Sequence, residues 1–200
     1  MGAGGGRMRL RLASANPDKV AEIEALLDEA GIEVVPRPAG LADVEETGTT
    51  LLANARLKAA AVMNASGEPA VADDTGLEVE HLGGAPGVHT ARFAGPAARY
   101  ADNVAKLLDA LAGVPAPGRR ARFRTVALVL FPDGRQVAAE GVVDGVIAEG
   151  PRGTGGFGYD PVFVPDDAGG RTLAELAPAE KHGLSHRGRA FRALAAQLRA

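Results

Sequence analysis

A group of aromatic, glycine and cationic residues towards the C-terminus could do the most distinctive chemistry in this sequence. The chain has six Phe, two Tyr and no Trp, and three of these rings lie within 157–163, directly after the glycine-rich run 153–156. Lys181, His186 and Arg187 follow. Aromatic faces suit a flat base, and cations beside them suit phosphate groups. We therefore expect a flat, anionic ligand, of which a nucleotide is the simplest example.

Two adjacent carboxylates, Asp73 and Asp74, form a second constellation and are followed by Thr75. We predict a strand at 70–72, so that the pair stands where this strand ends. A carboxylate pair suits a hard cation such as Mg²⁺, which proteins often hold by one or two carboxylates together with substrate phosphates. Asp74 is then placed both to bind the metal and to polarise water. The alternative is an Asp-rich turn that only caps the strand.

A third constellation joins a strand end, a helix start and a cation. Its residues are Ser14, Ala15, Asn16, Pro17, Asp18 and Lys19. Asn16 is a favourable N-cap, and Pro17 suits the first helical position. The N–H groups and dipole of such a helix start can bind an anion, to which Lys19 adds a point charge. The spacing is not that of a Walker A loop, so an ordinary capped helix with a surface lysine is the alternative.

A row of polar side chains is predicted on the helix that we expect over about 50–64. Thr50, Asn54 and Lys58 recur at every fourth residue and therefore project from one face, with Glu46 shortly before them. This places a hydroxyl, an amide and a cation in one row. A solvated helix face explains the spacing equally well.

The start of the last helix forms a further candidate site. Ser185 is the predicted N-cap, which points the following N–H groups outward beside the His186 imidazole and the Arg187 guanidinium. That geometry can bind an oxyanion or a carbonyl group. The four histidines of the chain show no metal-ligand spacing, so we expect no zinc site.

The rarity of lysine points to the same residues. Only four of the 22 Lys and Arg residues are lysines, at positions 19, 58, 106 and 181. Such a skew is typical of a GC-rich coding bias that turns interchangeable surface lysines into arginines, so the surviving lysines mark places that need a compact ammonium. All except Lys106 fall in the constellations above. Chance placement is the alternative.

The elements that must position these residues follow a mixed α/β pattern. We predict strands at 8–14, 32–35, 70–72, 121–131 and 136–147. We predict helices from Asn16 to Gly31, at 50–64, at 97–112 and from Ser185 onward. The residues 132–134, Pro-Asp-Gly, suit a hairpin turn between the last two strands.

Composition limits the class of protein. The 200 residues, 46% of them hydrophobic, are enough for one domain with a sizeable core, which we place at 8–200 after a disordered head at 1–7. The lack of cysteine excludes disulfides and thiolate metal sites and fits a reducing cytoplasm. No apolar run approaches the ~18 residues of a membrane span. A net charge of −3 argues against a nucleic-acid partner, so we expect a small molecule.

Six motifs in order together resemble the inosine triphosphate pyrophosphatase family, whose members hydrolyse non-canonical purine nucleoside triphosphates. They are Ser-x-Asn-x-x-Lys at 14–19, Glu-Thr-Gly-x-Thr with Asn-Ala and Lys at 46–58, Asp-Asp-Thr-Gly-Leu at 73–77, Pro-Gly-Val with Ala-Arg-Phe at 86–93, Phe-Gly-Tyr-Asp-Pro at 157–161, and Lys with Ser-His-Arg-Gly at 181–188. The resemblance covers about residues 8–198. It implies a single elongated α/β domain with a long mixed β-sheet, two lobes and a central substrate cleft.

The resemblance also implies an activity and a site. The activity is the Mg²⁺-dependent conversion of ITP, dITP or XTP to the monophosphate and pyrophosphate by a homodimer. Asp74 matches the catalytic and metal-binding carboxylate, and Glu46 matches a second metal ligand. The implied substrate-binding residues are Ser14, Ala15, Asn16, Pro17, Asp18, Lys19, Asn54, Lys58, Thr75, Phe157, Gly158, Tyr159, Asp160, Lys181, His186 and Arg187. Of these, 14–19, Lys58 and Lys181 match triphosphate contacts, whereas 157–160, His186 and Arg187 match the base pocket.

The expected mechanism is attack of a metal-oriented water on the α-phosphorus, with Asp74 as the general base and pyrophosphate leaving as its Mg²⁺ complex. No covalent nucleophile is needed. Thr75 stands where the family often has Ser, and it keeps the hydroxyl.

Two other functions compete with this one. A related Maf-like pyrophosphatase would act on pyrimidine or modified nucleotides, but the aromatic motif at 157–160 argues against it. A nucleotide-binding regulatory protein would bind without turnover. Mere binding does not need an acidic pair beside phosphate-binding lysines, so this function is also disfavoured.

Overall fold

The computed structural model describes residues 7–200. Within them the expected α/β class is confirmed. The strands are β1 Arg9–Leu12, β2 Glu33–Val35, β3 Ala70–Val79, β4 Pro86–Gly87, β5 Arg120–Leu130, β6 Gln136–Ile147 and β7 Phe163–Pro165. The α-helices are α1 Pro17–Glu29, α2 Leu51–Ser66, α3 Tyr100–Ala110, α4 Pro178–Leu184 and α5 His186–Arg199. Short 3₁₀ turns lie at Glu80–Leu82, Thr90–Arg92, Ala116–Gly118, Asp166–Ala168 and Leu173–Glu175.

The strands form one mixed sheet, as expected. Its order is β2-β1-β3-β5-β6-β7, and β4 pairs with β3 as the seventh strand. β1 runs parallel to β2, with Leu10 opposite Val34, and parallel to β3, with Leu12 opposite Val71. β4 is antiparallel to β3, and β7 is antiparallel to β6. The N-terminal edge is therefore parallel, which requires the helical crossovers that α1 and α2 supply.

The described residues divide into two compact units. The first contains the chain up to Asp74 together with Val126–Ala139 and Ala190–Ala200. The second contains Thr75–Thr125 and Glu140–Arg189. The expected head at 1–7 lies outside the described residues except for Arg7, whose guanidinium donates to the Asp28 carboxylate at 2.7 Å.

The core of the first unit lies on both faces of its strands. Val71 and Val129 pack in one cluster with residues of α1 and α5, whereas Ala70, Ala72 and Leu128 pack in another with α2. Consecutive strand residues point to opposite faces, so this alternation covers both sides. Most of the buried side chains in the α2 cluster are alanines. Small side chains allow a helix and a sheet to approach closely, which brings the polar residues of α2 near β3.

The second unit has one apolar cluster. It includes two phenylalanines, Phe123 of β5 and Phe163 of β7, whose ring centroids lie 4.7 Å apart in an edge arrangement. Leu107 of α3 and Ile147 of β6 are buried against them. Burial of large aromatic side chains is among the strongest stabilising terms in a core, and this cluster fixes the strand segments on which the second set of polar residues stands.

Most predicted elements are confirmed. Asn16 caps α1 and Pro17 is its first residue, Thr50 caps α2, and the Ser185 hydroxyl accepts from the N–H of Gly188 at 3.0 Å at the start of α5. The hairpin at 132–134 is also confirmed, because the Phe131 N–H bonds the Arg135 carbonyl at 2.9 Å.

Two local predictions were wrong, and one helix was missed. The strand predicted at 70–72 continues to Val79, so Asp73 and Asp74 lie inside β3 and not at its end. Aspartate is depleted in strands when it has no partner, but here both carboxylates are held by amino or amide groups of neighbouring elements. The helix predicted at 97–112 runs only from Tyr100 to Ala110, and the Asp102 carboxylate in its first turn accepts from the Arg99 N–H at 2.9 Å. Helix α4, which carries Lys181, was not predicted.

No helix in the part of the chain that the structure describes is long and apolar enough to cross a membrane.

Candidate active site

Three carboxylates, two lysines and one amide of the first unit lie together in what we call the carboxylate cluster. Its members are Lys19, Glu46, Asn54, Lys58, Asp73 and Asp74. Lys58 connects it, because its Nζ lies 2.9 Å from Glu46 Oε1 and 3.0 Å from Asp74 Oδ1. Asp74 is only 5% exposed. A buried carboxylate needs such partners, since desolvation of an unpaired charge is costly.

Asn54 holds the other oxygen of Asp74. Its Nδ2 donates to Asp74 Oδ2 at 3.2 Å, and its Oδ1 accepts from the Gly48 N–H at 2.8 Å. The predicted row on α2 is thus confirmed for Asn54 and Lys58. Thr50 instead caps the helix by accepting from the Ala53 N–H.

Gly48 is needed for this contact for steric reasons. A Cβ at that position would stand 2.6 Å from Asn54 Oδ1 and 2.8 Å from the Ala53 Cβ, closer than unbonded atoms approach. The glycine therefore allows the loop at 47–49 to lie directly on the start of α2. This explains physically why Gly appears in the Glu-Thr-Gly-x-Thr motif.

The electrostatics of the cluster favour a basic carboxylate and a firmly charged lysine. Burial raises the pKa of Asp74, and the nearby charge of Glu46 adds to this, although Lys58 and Lys19 act in the opposite direction. For Lys58, burial tends to lower the pKa, but the carboxylates of Asp74, Asp73 and Glu46 outweigh it and leave the pKa raised. The arrangement can therefore take a proton at Asp74 while Lys58 stays cationic.

Lys19 and Asp73 form the second ion pair of the cluster. Lys19 Nζ lies 3.3 Å from Asp73 Oδ2, and the Asp73 side chain is almost completely buried. The helix start before Lys19 is capped internally, because Asn16 Oδ1 accepts from the N–H groups of Asp18 and Lys19 at 2.9 and 3.3 Å. Ser14 Oγ accepts from the Asn16 N–H. These two N–H groups would have to leave Asn16 to bind an anion. Contact of the segment 14–19 with a triphosphate therefore stays a prediction.

The donor set of the carboxylate cluster fits a hard divalent cation. Within residues 7–200, no group of three or more His, Asp or Glu side chains is placed to hold a metal by itself. Two carboxylates, Glu46 and Asp74, do converge, since one ammonium reaches both. Mg²⁺ commonly takes one or two carboxylates and completes its shell with water and substrate phosphates.

A second polar group, in the other unit, centres on a buried ion pair. Lys181 Nζ lies 2.6 Å from Asp160 Oδ2, and both side chains are at most 7% exposed. Asp160 also accepts from the N–H of Phe157 at 2.8 Å. Gly156 has a φ of +68°, and a Cβ there would collide with the Asp160 carboxylate. The aromatic motif is thus folded around its own aspartate.

The half-buried Phe157 ring lies among cations and a second aromatic ring. Lys181 Nζ is 4.9 Å and the Arg187 guanidinium 5.4 Å from its centroid. The Tyr100 ring is 5.8 Å away at an interplanar angle of 39°. Tyr100 was missed by the sequence analysis. Its only signal was an aromatic residue in a chain with few of them, at the expected start of a helix.

Four further polar residues of this unit form a hydroxyl network, which consists of Thr75, Thr125, His186 and Arg187. Arg187 Nη2 donates to Thr75 Oγ1 at 3.3 Å, and Thr75 Oγ1 lies 2.7 Å from Thr125 Oγ1. Thr125 Oγ1 in turn lies 2.6 Å from His186 Nδ1. Phe123 stacks on the imidazole, with 4.5 Å between the centroids. Thr125 was also missed, because no sequence motif includes it.

Tyr159 is placed differently from the rest of its motif. Its side chain lies in the apolar cluster of the second unit, and its hydroxyl donates to the Thr90 carbonyl at 3.0 Å. Burial raises the pKa of the phenol. Gly158, with a φ of +64°, turns the backbone between Phe157 and Tyr159. The structure thus gives Tyr159 a role in packing, and its assignment to a base pocket stays a prediction.

These features define a mixed-sheet α/β protein with a buried lysine–carboxylate cluster and a separate aromatic and cationic cluster. The chain belongs to the Ham1 family, whose model matches residues 10–197. It is 50% identical over 197 residues to a protein of Methylococcus capsulatus named dITP/XTP pyrophosphatase, covering 97% of this chain and 98% of that protein. A protein of the same name from Symbiobacterium thermophilum is 49% identical, with 92% and 91% covered.

A solved structure supports the same relationship. The HAM1 protein from Coxiella burnetii is similar with a TM-score of 0.85 and 40% sequence identity, over 96% of this chain and 98% of that one. The resemblance inferred from the six motifs is therefore confirmed.

Proposed function

We propose that this protein is a nucleoside-triphosphate pyrophosphohydrolase that converts ITP, dITP and XTP to the monophosphate and pyrophosphate, and so removes non-canonical purines from the nucleotide pool. The observation that carries the proposal is the buried Asp74 carboxylate, held by Lys58 and Asn54 beside Glu46. The names of its relatives support the reaction and the class of base.

Asp74 is the general base. It accepts a proton from water while the water oxygen bonds to the α-phosphorus, and the bond from that phosphorus to the bridging oxygen breaks as pyrophosphate leaves. Burial raises the pKa of Asp74, which makes this carboxylate a stronger base than an exposed aspartate. Asn54 and Lys58 each hold one of its oxygens and so fix its orientation.

The lysines of the carboxylate cluster bind the triphosphate. Lys58 and Lys19 both contact aspartates of β3, and their ammonium groups can neutralise phosphate oxygens near Asp74. Lys181 has a different environment, between Asp160 and the Phe157 ring. Its assignment to the triphosphate stays a prediction, and its contacts suit a place nearer the base.

Glu46 and Asp74 would hold Mg²⁺, the cofactor we propose. When bound, the ion neutralises charge on the pyrophosphate leaving group. Because Lys58 contacts both carboxylates, it limits the repulsion between them. Removal of divalent cations by a chelator is expected to abolish turnover, and Mg²⁺ is expected to restore it.

The aromatic and cationic cluster of the second unit selects the base. Phe157 offers an aromatic face, and His186 and Arg187 offer polar groups from the start of α5. Hypoxanthine and xanthine present a 6-oxo acceptor and an N1–H donor where adenine presents the reverse, so a buried donor is left unpaired by adenine. Guanine shares both features with hypoxanthine, and its rejection requires a penalty on the 2-amino group.

A substrate panel tests the proposal. The protein with Mg²⁺ is incubated with ITP, XTP, dITP, GTP, ATP and dUTP, and phosphate is measured with and without added inorganic pyrophosphatase. We expect phosphate only when pyrophosphatase is present, and the fastest turnover with ITP, dITP and XTP. Preference for dUTP would indicate a Maf-like enzyme instead. Binding without release of pyrophosphate would indicate a regulatory protein.

We also propose a homodimer and a cytoplasmic location. The dimer follows from the family resemblance and is tested by light scattering of the purified protein, where a monomeric mass at micromolar concentration would contradict it. The proposed location rests on the lack of cysteine, which fits a reducing compartment such as the cytoplasm.

A further inference from the structure

The exposed glycine-rich run 153–156 leads directly into Phe157, and the proposed function leaves its glycines unexplained. A loop that binds phosphate presents successive free N–H groups to the ligand. Here the Gly155 N–H already donates to the Ala174 carbonyl at 3.0 Å, and the Phe157 N–H donates to the Asp160 carboxylate at 2.8 Å. The contacts of the run therefore indicate another reason for its glycines.

The glycines allow the run to lie directly against a neighbouring turn, residues 172–175, which we call the supporting turn. A Cβ at Gly153 would stand 2.5 Å from the carbonyl carbon and oxygen of Ala174, and a Cβ at Gly155 would stand 3.1 Å from the same oxygen. Gly153 also has a φ of +80°, which favours glycine. Because the atoms in the way belong to the backbone, they cannot swing aside as a flexible side chain would.

Hydrogen bonds join the supporting turn to the chain both before and after Phe157. Before the ring, Thr172 Oγ1 donates to the Arg152 carbonyl at 2.9 Å. After the ring, the Ala174 N–H donates to the Asp160 carbonyl at 3.2 Å. The segment that carries the ring is thus attached to the supporting turn at both of its ends.

The supporting turn is itself fixed to the core of the second unit. Thr172 is completely buried, its N–H donates to Glu175 Oε2 at 2.7 Å, and its carbonyl accepts from the Glu175 N–H at 3.0 Å. Leu173 is 1% exposed in the apolar cluster of that unit. The turn therefore offers a fixed attachment point, and the Thr172 hydroxyl is the side-chain group that passes its position on to residue 152.

We propose that Thr172 is a positioning residue for the base. Through the Arg152 carbonyl, it holds the segment that carries the Phe157 ring in place before a nucleotide arrives. A group that is already ordered does not lose further conformational entropy when the ligand binds, so this support favours binding. The consequence for purine binding rests on the proposed function, whereas the ordering of the segment does not.

Amide hydrogen exchange of the unmodified protein, resolved by residue with NMR and recorded without nucleotide, tests the ordering. The N–H groups of Gly155 and Phe157 should be protected, because both are hydrogen-bonded. Within residues 7–200, the N–H groups of Thr154 and Gly156 have no hydrogen-bond partner, so they should exchange fast. Equally fast exchange at all four residues would overturn the proposal without any variant.

Variants test the cause of the ordering. Thr172→Val keeps the shape and removes the hydroxyl, so exchange at Gly155 and Phe157 should accelerate about two- to tenfold, the range for one hydrogen bond, and Thr172→Ser should restore the original rates. Unchanged rates in Thr172→Val would overturn the proposal, and if that variant does not fold, Thr172→Ala is judged by the same rates.

Two alanine variants of the same loop form a matched pair. Gly153→Ala places a methyl group against the supporting turn and should accelerate exchange at Gly155. Gly150→Ala is the control and should leave the rates unchanged, because its Cβ would meet nothing within 4 Å. Equal rates in the two variants would show that the run is not held against the supporting turn.

Kinetics test whether Thr172 acts through Phe157. Thr172→Val should raise KM for ITP, XTP and GTP by a similar factor of about two to ten with kcat retained, because stacking tolerates any purine. In a Phe157→Ala background the same substitution should add nothing, and a further rise in KM there would overturn the proposal. Accelerated exchange in a Thr172→Val protein whose unmodified form does not hydrolyse ITP would reject the proposed function alone. Unchanged exchange in an active enzyme would reject this proposal alone.

Discussion

The carboxylate cluster and the hydroxyl network differ in how their polar side chains are satisfied. In the cluster, three carboxylates share two lysines and one amide, and the charges lie within about one hydrogen-bond length of each other. In the network, one guanidinium is followed by two neutral hydroxyls and an imidazole. Asp74 and Thr75 are consecutive residues of β3, yet one belongs to each group.

This difference matches two kinds of chemistry. Breaking a phosphoanhydride bond requires charge to be placed and moved, and paired charges can exchange partners when phosphate and metal arrive. In the proposed function, choosing among purines requires donors and acceptors in fixed positions, and we assign this role to the buried residues of the hydroxyl network. Substitutions in the cluster should therefore reduce the rate for every substrate, whereas those in the network should change the order of substrates.

Asp74→Asn should have the largest effect and tests the cluster. The amide keeps the shape of the side chain but cannot accept the proton or hold a cation as well, so kcat should fall by about 10² to 10⁴ for all substrates. Pyrophosphate release gives the rate, and far-UV circular dichroism checks the fold. Near-normal kcat in this variant would falsify the role of Asp74 as the base.

Phe157→Ala and Arg187→Ala should separate stacking from polar recognition. A stacked base is worth about 1–3 kcal/mol whatever its edge, so Phe157→Ala should raise KM for ITP, XTP and GTP by similar factors. Arg187→Ala removes the donor that orients Thr75 and should reduce kcat/KM for ITP and XTP far more than for ATP. If Arg187→Ala weakens all substrates equally, Arg187 binds phosphate and does not discriminate among bases.

Lysine-to-arginine replacements test whether a compact ammonium is needed. Lys58 reaches two carboxylates and Lys181 is 5% exposed, so the wider guanidinium should not fit and activity should fall about tenfold, the equivalent of one buried hydrogen bond.

Lys106→Arg is the control for these two variants. Lys106 Nζ donates to the Phe93 carbonyl at 2.6 Å and lies over the Phe93 ring, at an exposed position. Arginine can make both contacts, and activity should be unchanged. If activity tolerates Lys→Arg equally at 58, 181 and 106, a compact ammonium is not required at positions 58 and 181.

Tyr100→Ala should have the smallest effect. Tyr100 is 41% exposed and supports the Phe157 ring from the side, and such an aromatic pair contributes about 0.5–1.5 kcal/mol. KM for ITP and ATP should rise by the same small factor of about two to ten with kcat retained, and Tyr100→Phe should behave like the unmodified protein. A change in kcat, or failure of the Phe variant to restore KM, would show that Tyr100 does not act through Phe157.

Much of the fold followed from local signals. Asn16 and Pro17 start α1, Thr50 caps α2, and Gly134 closes the hairpin, because caps and turns depend on a few adjacent residues. The length of β3 did not follow. Strand propensity counts Asp73 and Asp74 against a strand, and only the lysines and the amide of other elements make the pair acceptable there.

The candidate site also has a part that the sequence predicted and a part that it did not. The sequence by itself determined the residue types, the order of the six motifs and the family, because catalysis restricts which side chains occupy those positions. It also determined the polar face of α2, since Asn54 and Lys58 lie one helical turn apart.

Only the tertiary structure decided which of these groups touch. It joined Lys58 to both Glu46 and Asp74 and placed Tyr159 in the core. It also brought Thr125 to His186, and Tyr100 to Phe157. These contacts join residues distant in sequence, and their geometry depends on strand register and on packing around Phe123 and Phe163, which local patterns do not encode.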